Sequence, residues 1–239
     1  MSPGHQLAKR HGISDYKRVA SIKTSSQSQP LSFIYVETDR YLPSRTLDIN
    51  KEDSNEEKKQ KLSEWAKQPL EEIKFLRRIV EEKPEQGDGF ESGDGALLNG
   101  AVIWAPFHLP SDIFTTYLHI AEEVAGPKLW DRVVGFRYLL QGKPEGEVKR
   151  LVESESWLDN IISIRNGRAG RGRTFDVGVD THRDGVEQLE YIVDMIVEIR
   201  RREASSNGGQ GPVKFVLSKF VSAFHLHISF LPFFSRFSE

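Results

Sequence analysis

A chain of 239 residues, 38% hydrophobic and 28% charged, holds enough apolar side chains for the core of one domain with short appendages. Its formal net charge of -2 gives no overall attraction to a phosphate backbone or an anionic bilayer, which weighs against nucleic acid and membrane surfaces as partners. With 0 cysteines it has no disulfide, thiolate nucleophile or cysteine-held metal, and without a signal-like leader or an apolar span of about 20 residues it is expected in the cytoplasm.

Residues 1–30 read as an N-terminal remnant, a short helix around Ser14–Ala20 followed by a loose linker through Thr24–Gln29 to Pro30. Ser32–Glu37 is an apolar run closed by Glu37-Thr38-Asp39-Arg40, and it predicts a first strand. The charged stretch Asp48–Lys61 predicts a solvated loop. Leu70, Ile73, Leu76 and Val80 recur at helical spacing between Pro69 and Pro84, so a helix is expected to start just after the first proline and stop before the second. Gly100–Trp104 predicts a second strand. Ile113, Tyr117, Ile120 and Val124 predict a helix with Ser111 as its N-cap.

Val133–Leu139 predicts a third strand, interrupted by Arg137, and Thr174–Val179 a fourth. Val186, Leu189, Ile192, Val193, Ile196 and Ile199 share one side of a further helix, capped by Asp184. Val213–Leu217 predicts a fifth strand, and residues 219–239 form a Phe-rich tail. The strands are nearly continuous apolar runs, as strands covered by helices are. The expected fold is therefore α/β, over residues 31–218.

A (β/α)₈ barrel takes about 250 residues, roughly 31 per unit, and the residues after Leu217 are too few for three more units. The expectation is an incomplete, TIM-like (β/α)₈ barrel with about five parallel strands. A complete five-stranded doubly wound sheet fits the same pattern, and in both folds ligands bind where the strands run out.

Polar residues at those positions are the candidates. Glu37 and Asp39 lie two apart, on one face of an extended segment, as a carboxylate pair for acid/base work or metal binding requires; capping or solvation is the other reading. His108 comes shortly after the second strand, as a loop residue or a substrate contact. Arg137 sits inside an apolar run and needs an anionic partner, either a structural carboxylate or a substrate oxygen, and Gln141 lies just beyond it. Asp180 and His182 lie in the polar cluster after the fourth strand, where an imidazole can bind metal or move protons, the other reading being a histidine or aspartate that caps the next helix. His225 and His227 have metal-ligand spacing, but no carboxylates accompany them. Gly167–Gly172 matches no nucleotide fingerprint, although Arg165, Arg168, Arg171 and Arg173 offer charge to an anion.

The segments FIYVETDRYLP, GAVIWAPFHLP, VVGFRYLLQG, FDVGVDTHRDGVEQL and VKFVLS, in that order between Pro3 and Ser218, resemble the amidohydrolase-related TIM-barrel hydrolases, and among them the L-rhamnono-lactonase-like branch. The resemblance implies hydrolysis of a sugar lactone as a small-molecule substrate. Carried onto this sequence, it makes His182 and Arg137 the catalytic candidates, with Glu37, Asp39, His108, Gln141 and Asp180 around the substrate. The family pattern opens with a His-x-His strand and has a histidine after V-L and a late aspartate, none of which is present here. A divalent metal is open for the complete family fold and unsupported by this chain.

Truncation at both ends is thus expected, and Ser218-Lys219-Phe220 can be encoded with a splice-donor string, so residues 219–239 can be translated intron. Weak or absent catalysis is the expected result of the missing groups. The alternative is a non-catalytic barrel fragment or binding module whose exposed sheet edges favour self-association.

Overall fold

The computed structural model describes residues 12–23, 32–37, 46–144, 146–165, 172–179, 185–205 and 211–218. In chain order the elements are α1 (Ile13–Lys23), β1 (Phe33–Val36), α2 (Asn55–Trp65), α3 (Lys67–Glu81), β2 (Leu98–Trp104), α4 (Ser111–Trp130), β3 (Val133–Arg137), α5 (Glu147–Val152), α6 (Glu155–Ser163), β4 (Thr174–Gly178), α7 (Glu187–Ser205) and β5 (Lys214–Ser218). All five strands run parallel in the order β1-β2-β3-β4-β5 and form a curled half-barrel.

That order separates the two architectures the sequence allowed. A doubly wound sheet reverses its strand order at a switch point, so that right-handed crossovers deposit helices on both faces. Here every strand adds on the same side of the previous one. The crossovers therefore share one face, the helices stack against it, and the sheet curls around the other.

The core lies between helices and sheet. Ile103, Phe136 and Phe175, one from each central strand, are fully buried beneath Leu76, Phe114, Tyr117, Leu129 and Trp157 from the helices. The opposite, concave face is apolar but open, with Ile34 58%, Val134 40% and Val216 47% exposed. Both faces of these strands carry apolar residues, which is why each strand reads as a continuous run.

Local chemistry accounts for the helix boundaries. α3 buries Leu70, Ile73, Leu76, Ile79 and Val80 and ends at Glu82, which takes the left-handed conformation at φ 59. α4 kinks at Gly126, where φ 65 suits a residue without a side chain and Pro127 comes next.

Three expectations about helices change. Asp48–Lys61 is not one loop, because α2 begins at Asn55 behind a reciprocal capping box in which the Ser54 hydroxyl accepts from the Glu57 N–H and the Glu57 carboxylate accepts from the Ser54 N–H. Ser111 is the first residue of α4 and Pro110 its N-cap; the Ser111 carbonyl accepts a hydrogen bond from Thr115. In α7 the buried positions are Gln188, Ile192, Met195 and Ile199, while Val186 is exposed. Asp184 and the tail 219–239 lie outside the described residues. Among the described residues no helix is long and apolar enough to cross a membrane.

Candidate functional site

At the carboxyl ends of β1 and β3 and the middle of β4, opposite charges from three strands meet. Arg137 is the last residue of β3 and stands in register with Trp104 on β2 and Asp176 on β4. Its Nε lies 2.5 Å from Asp176 Oδ1. Its Nη1 donates to the backbone carbonyl of Glu37 at 3.4 Å, and the Glu37 carboxylate is 3.9 Å from Nε. Glu37 is placed by the sheet itself, since its N–H donates to the Val102 carbonyl at 2.9 Å and extends the β1–β2 ladder by one residue.

Glu37 and Asp176 are each only 3% exposed. Carboxylates at that depth keep their charge when a cation or several donors compensate the lost hydration, and the guanidinium supplies both charge and directed N–H groups. Toward the helices, Tyr35 donates a short hydrogen bond to buried Glu72 of α3, and Tyr117 donates to the Trp104 carbonyl at 3.1 Å. Burial, with Glu72 and Glu37 adding to it, pushes the Tyr117 hydroxyl far above its ordinary range, so it remains a donor.

An aromatic wall adjoins this cluster. Trp104 lies 5.8 Å from Trp65 and 6.3 Å from Tyr138, and the His108 ring lies 5.1 Å from Tyr138 and 6.2 Å from Trp65. Asn160 fixes the loop that carries His108: its amide donates to the carbonyls of Phe107 at 3.0 Å and Leu109 at 2.8 Å, one on each side of the histidine. Burial, and then the positive charges of Lys143 and Arg150, push the imidazole down to about 4, so it is neutral at pH 7. Its Nδ1 is buried and has no hydrogen-bond partner among the described residues.

The depressed value has a measurable consequence. An unfolded chain protonates His108 near 6.5 and the folded one only near 4, so acid favours unfolding between those values. The stabilisation, at most about 3 kcal/mol, is complete above pH 6.5 and lost as the pH falls to about 4. Urea unfolding across that range is expected to show a flatter pH dependence for His108→Gln than for the parent chain. Parallel curves would refute the assignment.

The sequence-derived candidates divide accordingly. Glu37 and Arg137 come together, and His108 stands in the neighbouring wall. Gln141 is held by its backbone, whose N–H donates to the Gly178 carbonyl at 3.1 Å and ties the loop after β3 to the end of β4. Asp39, Asp180 and His182 lie outside the described residues, as do His225, His227, Arg168 and Arg171. The Arg173 guanidinium stacks 4.3 Å from the Trp130 ring and 5.5 Å from Phe136, and its Nε donates to the Val133 carbonyl at 3.3 Å.

Three residues of the site escaped the sequence reading. Asp176 sits within the fourth apolar run as the carboxylate that Arg137 requires, and a charge inside each of two neighbouring strands was the available signal. Asn160 is a buried amide amid Trp157, Leu158 and Ile161 on α6. Trp65 lay just past a stretch read as solvated loop.

The described residues do not fit a divalent metal. Among them no group of three or more His, Asp or Glu residues is placed to hold one, and the two strand-end carboxylates already share a fixed cation in Arg137. Compared with protein-family models, with curated proteins and with solved structures, the chain matches none.

Proposed function

We propose that this chain is an amidohydrolase-related hydrolase of the sugar-lactone class that binds its substrate at the strand ends and opens it weakly or not at all. The observation that carries the reading is the convergence of Glu37, Arg137 and Asp176 from three strands, beside a wall of Trp104, His108 and Tyr138. Buried charge at the carboxyl end of a barrel-like sheet serves ligands more readily than it serves stability. The resemblance of the five segments supplies the substrate class.

The same geometry limits the chemistry. Steadying an oxyanion needs N–H groups already aimed at the developing charge. Arg137 directs Nε at Asp176 and Nη1 at Glu37, so a lactone oxygen has to compete with a buried carboxylate for it. Its role here is to hold two acceptors in place for substrate hydroxyls.

The test is titration of L-rhamnono-1,4-lactone opening by the purified chain, with binding of L-rhamnonate monitored by NMR. Binding with opening close to the spontaneous rate is expected. A clear rate abolished in His182→Ala would overturn weak catalysis, and absence of binding would overturn the hydrolase reading.

The open concave face and the two edge strands favour a second reading, a non-catalytic module that self-associates through β1 and β5. Sedimentation separates them: a monomer at every concentration removes the second.

A further inference from the structure

Among the described residues β5 is the last strand of the sheet, so one side of its backbone has no strand beside it. Such an edge offers a row of N–H and C=O groups to any segment able to pair with them, and charges or a proline usually block the approach. β5 carries Lys214 as its single charge. Val216 is 47% and Leu217 44% exposed, so apolar side chains accompany the open backbone. Val216 stands in register with Asp176 of β4 on the concave face, and exposed Val134 and Ile34 continue the apolar surface toward β1.

Residues 219–239 follow β5 directly; they lie outside the described residues, and their sequence alone enters the argument. Phe224, Leu226, Ile228 and Phe230 alternate with His225, His227 and Ser229, and Pro232 bounds the run. Strict alternation of this length is the pattern of a strand with one buried face. Only residues 219–223 separate it from β5. A parallel addition requires a crossover of about a dozen residues, whereas a connection this short suits a hairpin, so the run has to return antiparallel. Pairing Ser218 with Phe224 puts Leu226 opposite Val216, with the apolar set on the concave face. A slip of one residue would turn Leu226 away from that face.

We propose that residues 224–230 add to the β5 edge as an antiparallel strand, with Phe224, Leu226, Ile228 and Phe230 laid over the exposed apolar end of the concave face. The occupant of this edge is thus the chain's own tail. The proposal is independent of the hydrolase reading. It sets the tail and a second copy in competition for β5, an edge on which the self-association reading also relies.

Because the chain has 0 cysteines, introduced thiols report the pairing without background. Val216→Cys with Leu226→Cys sets two thiols directly across the strand pair, within the Cα separation of about 4.4–6.8 Å that a disulfide needs. Under mild oxidant the full chain bearing this pair is expected to close a disulfide within one molecule about tenfold faster than Val216→Cys with His225→Cys, whose side chains take opposite faces. Equal rates, including no closure in either, a faster second pair, or a disulfide between two molecules would overturn the proposal, the last in favour of a second copy on the edge. Hydrogen exchange on the cysteine-free chain covers the case in which the thiol variants fail to fold. Amides of both 214–218 and 224–230 are expected to be protected, and Leu226→Asp with Ile228→Asp to lower that protection about tenfold. Unprotected amides across 224–230, or protection that the aspartates leave unchanged, would overturn the pairing whatever the lactone assays show.

Discussion

Replacing Arg137 by alanine is expected to destabilise the chain by about 3–5 kcal/mol at pH 7, with the deficit shrinking as the pH falls. The change leaves Glu37 and Asp176, both 3% exposed, without the guanidinium that contacts them. Burial then disfavours the charged form of each carboxylate with less compensation than in the parent chain. Protonation in acid removes the cost of the buried charge, and the cost returns as the carboxylates ionise toward neutrality. The variant therefore suffers most near neutrality. Urea unfolding of parent and variant at several pH values checks this, and an equal deficit at about pH 4.5 and pH 7 would show that lost packing, not stranded charge, is responsible. The double variant Arg137→Met with Asp176→Leu is expected to be more stable than Arg137→Ala, because it leaves one buried carboxylate without the guanidinium instead of two.

Trp157→Ala is expected to lose about 3–5 kcal/mol, chiefly through cavity formation. Trp157 is fully buried on α6, with ring centroids 5.8 Å from Phe107, 5.3 Å from Tyr138 and 5.8 Å from Phe175. Its indole N–H donates to Met195 Sδ of α7 at 3.1 Å. One side chain thus joins two helices, the strand that bears Asp176 and the loop residue that walls His108. Trp157→Phe keeps most of the packing and is expected to lose about 1–2 kcal/mol with the N–H contact. In the alanine variant His108 is expected to titrate closer to 6.5, as Tyr138 loses its support and water approaches the imidazole. A stability loss below about 1 kcal/mol would show that the surrounding rings collapse into the space.

The strands were legible because each is apolar on both faces, and so were α3 and α4, whose buried residues recur at helical spacing. α2 was missed because its composition is that of a solvated surface, with Leu62 its one fully buried side chain; the Ser54–Glu57 capping box was the signal to weigh against charge density. α5 and α6 were not read at all between the third and fourth strands. α5 has 6 residues and α6 has 9, and short helices carry too few turns for their periodicity to stand out.

At the site, the sequence marked Arg137 as a cation in need of an anion and left the partner open. Asp176 is 39 positions away, and only the β3–β4 register brings the two side by side. His108 was noticed as a loop residue near a strand end. Its neutral state comes from burial and then from charges on the loop after β3 and on α5, while Asn160, far along the chain on α6, holds the backbone on either side of it, and local spacing reveals none of this.

By itself the sequence determined the class of the protein: a cysteine-free α/β chain with five apolar strands and polar groups gathered where those strands end. Periodicity and composition are local, and each element is encoded by its own residues. Only the tertiary structure decided that the strands add in chain order, that the sheet curls with its helices on one face, and that Arg137 is divided between two buried carboxylates. Those outcomes depend on crossover handedness, register and desolvation, which arise when residues far apart in the chain share one low-dielectric space.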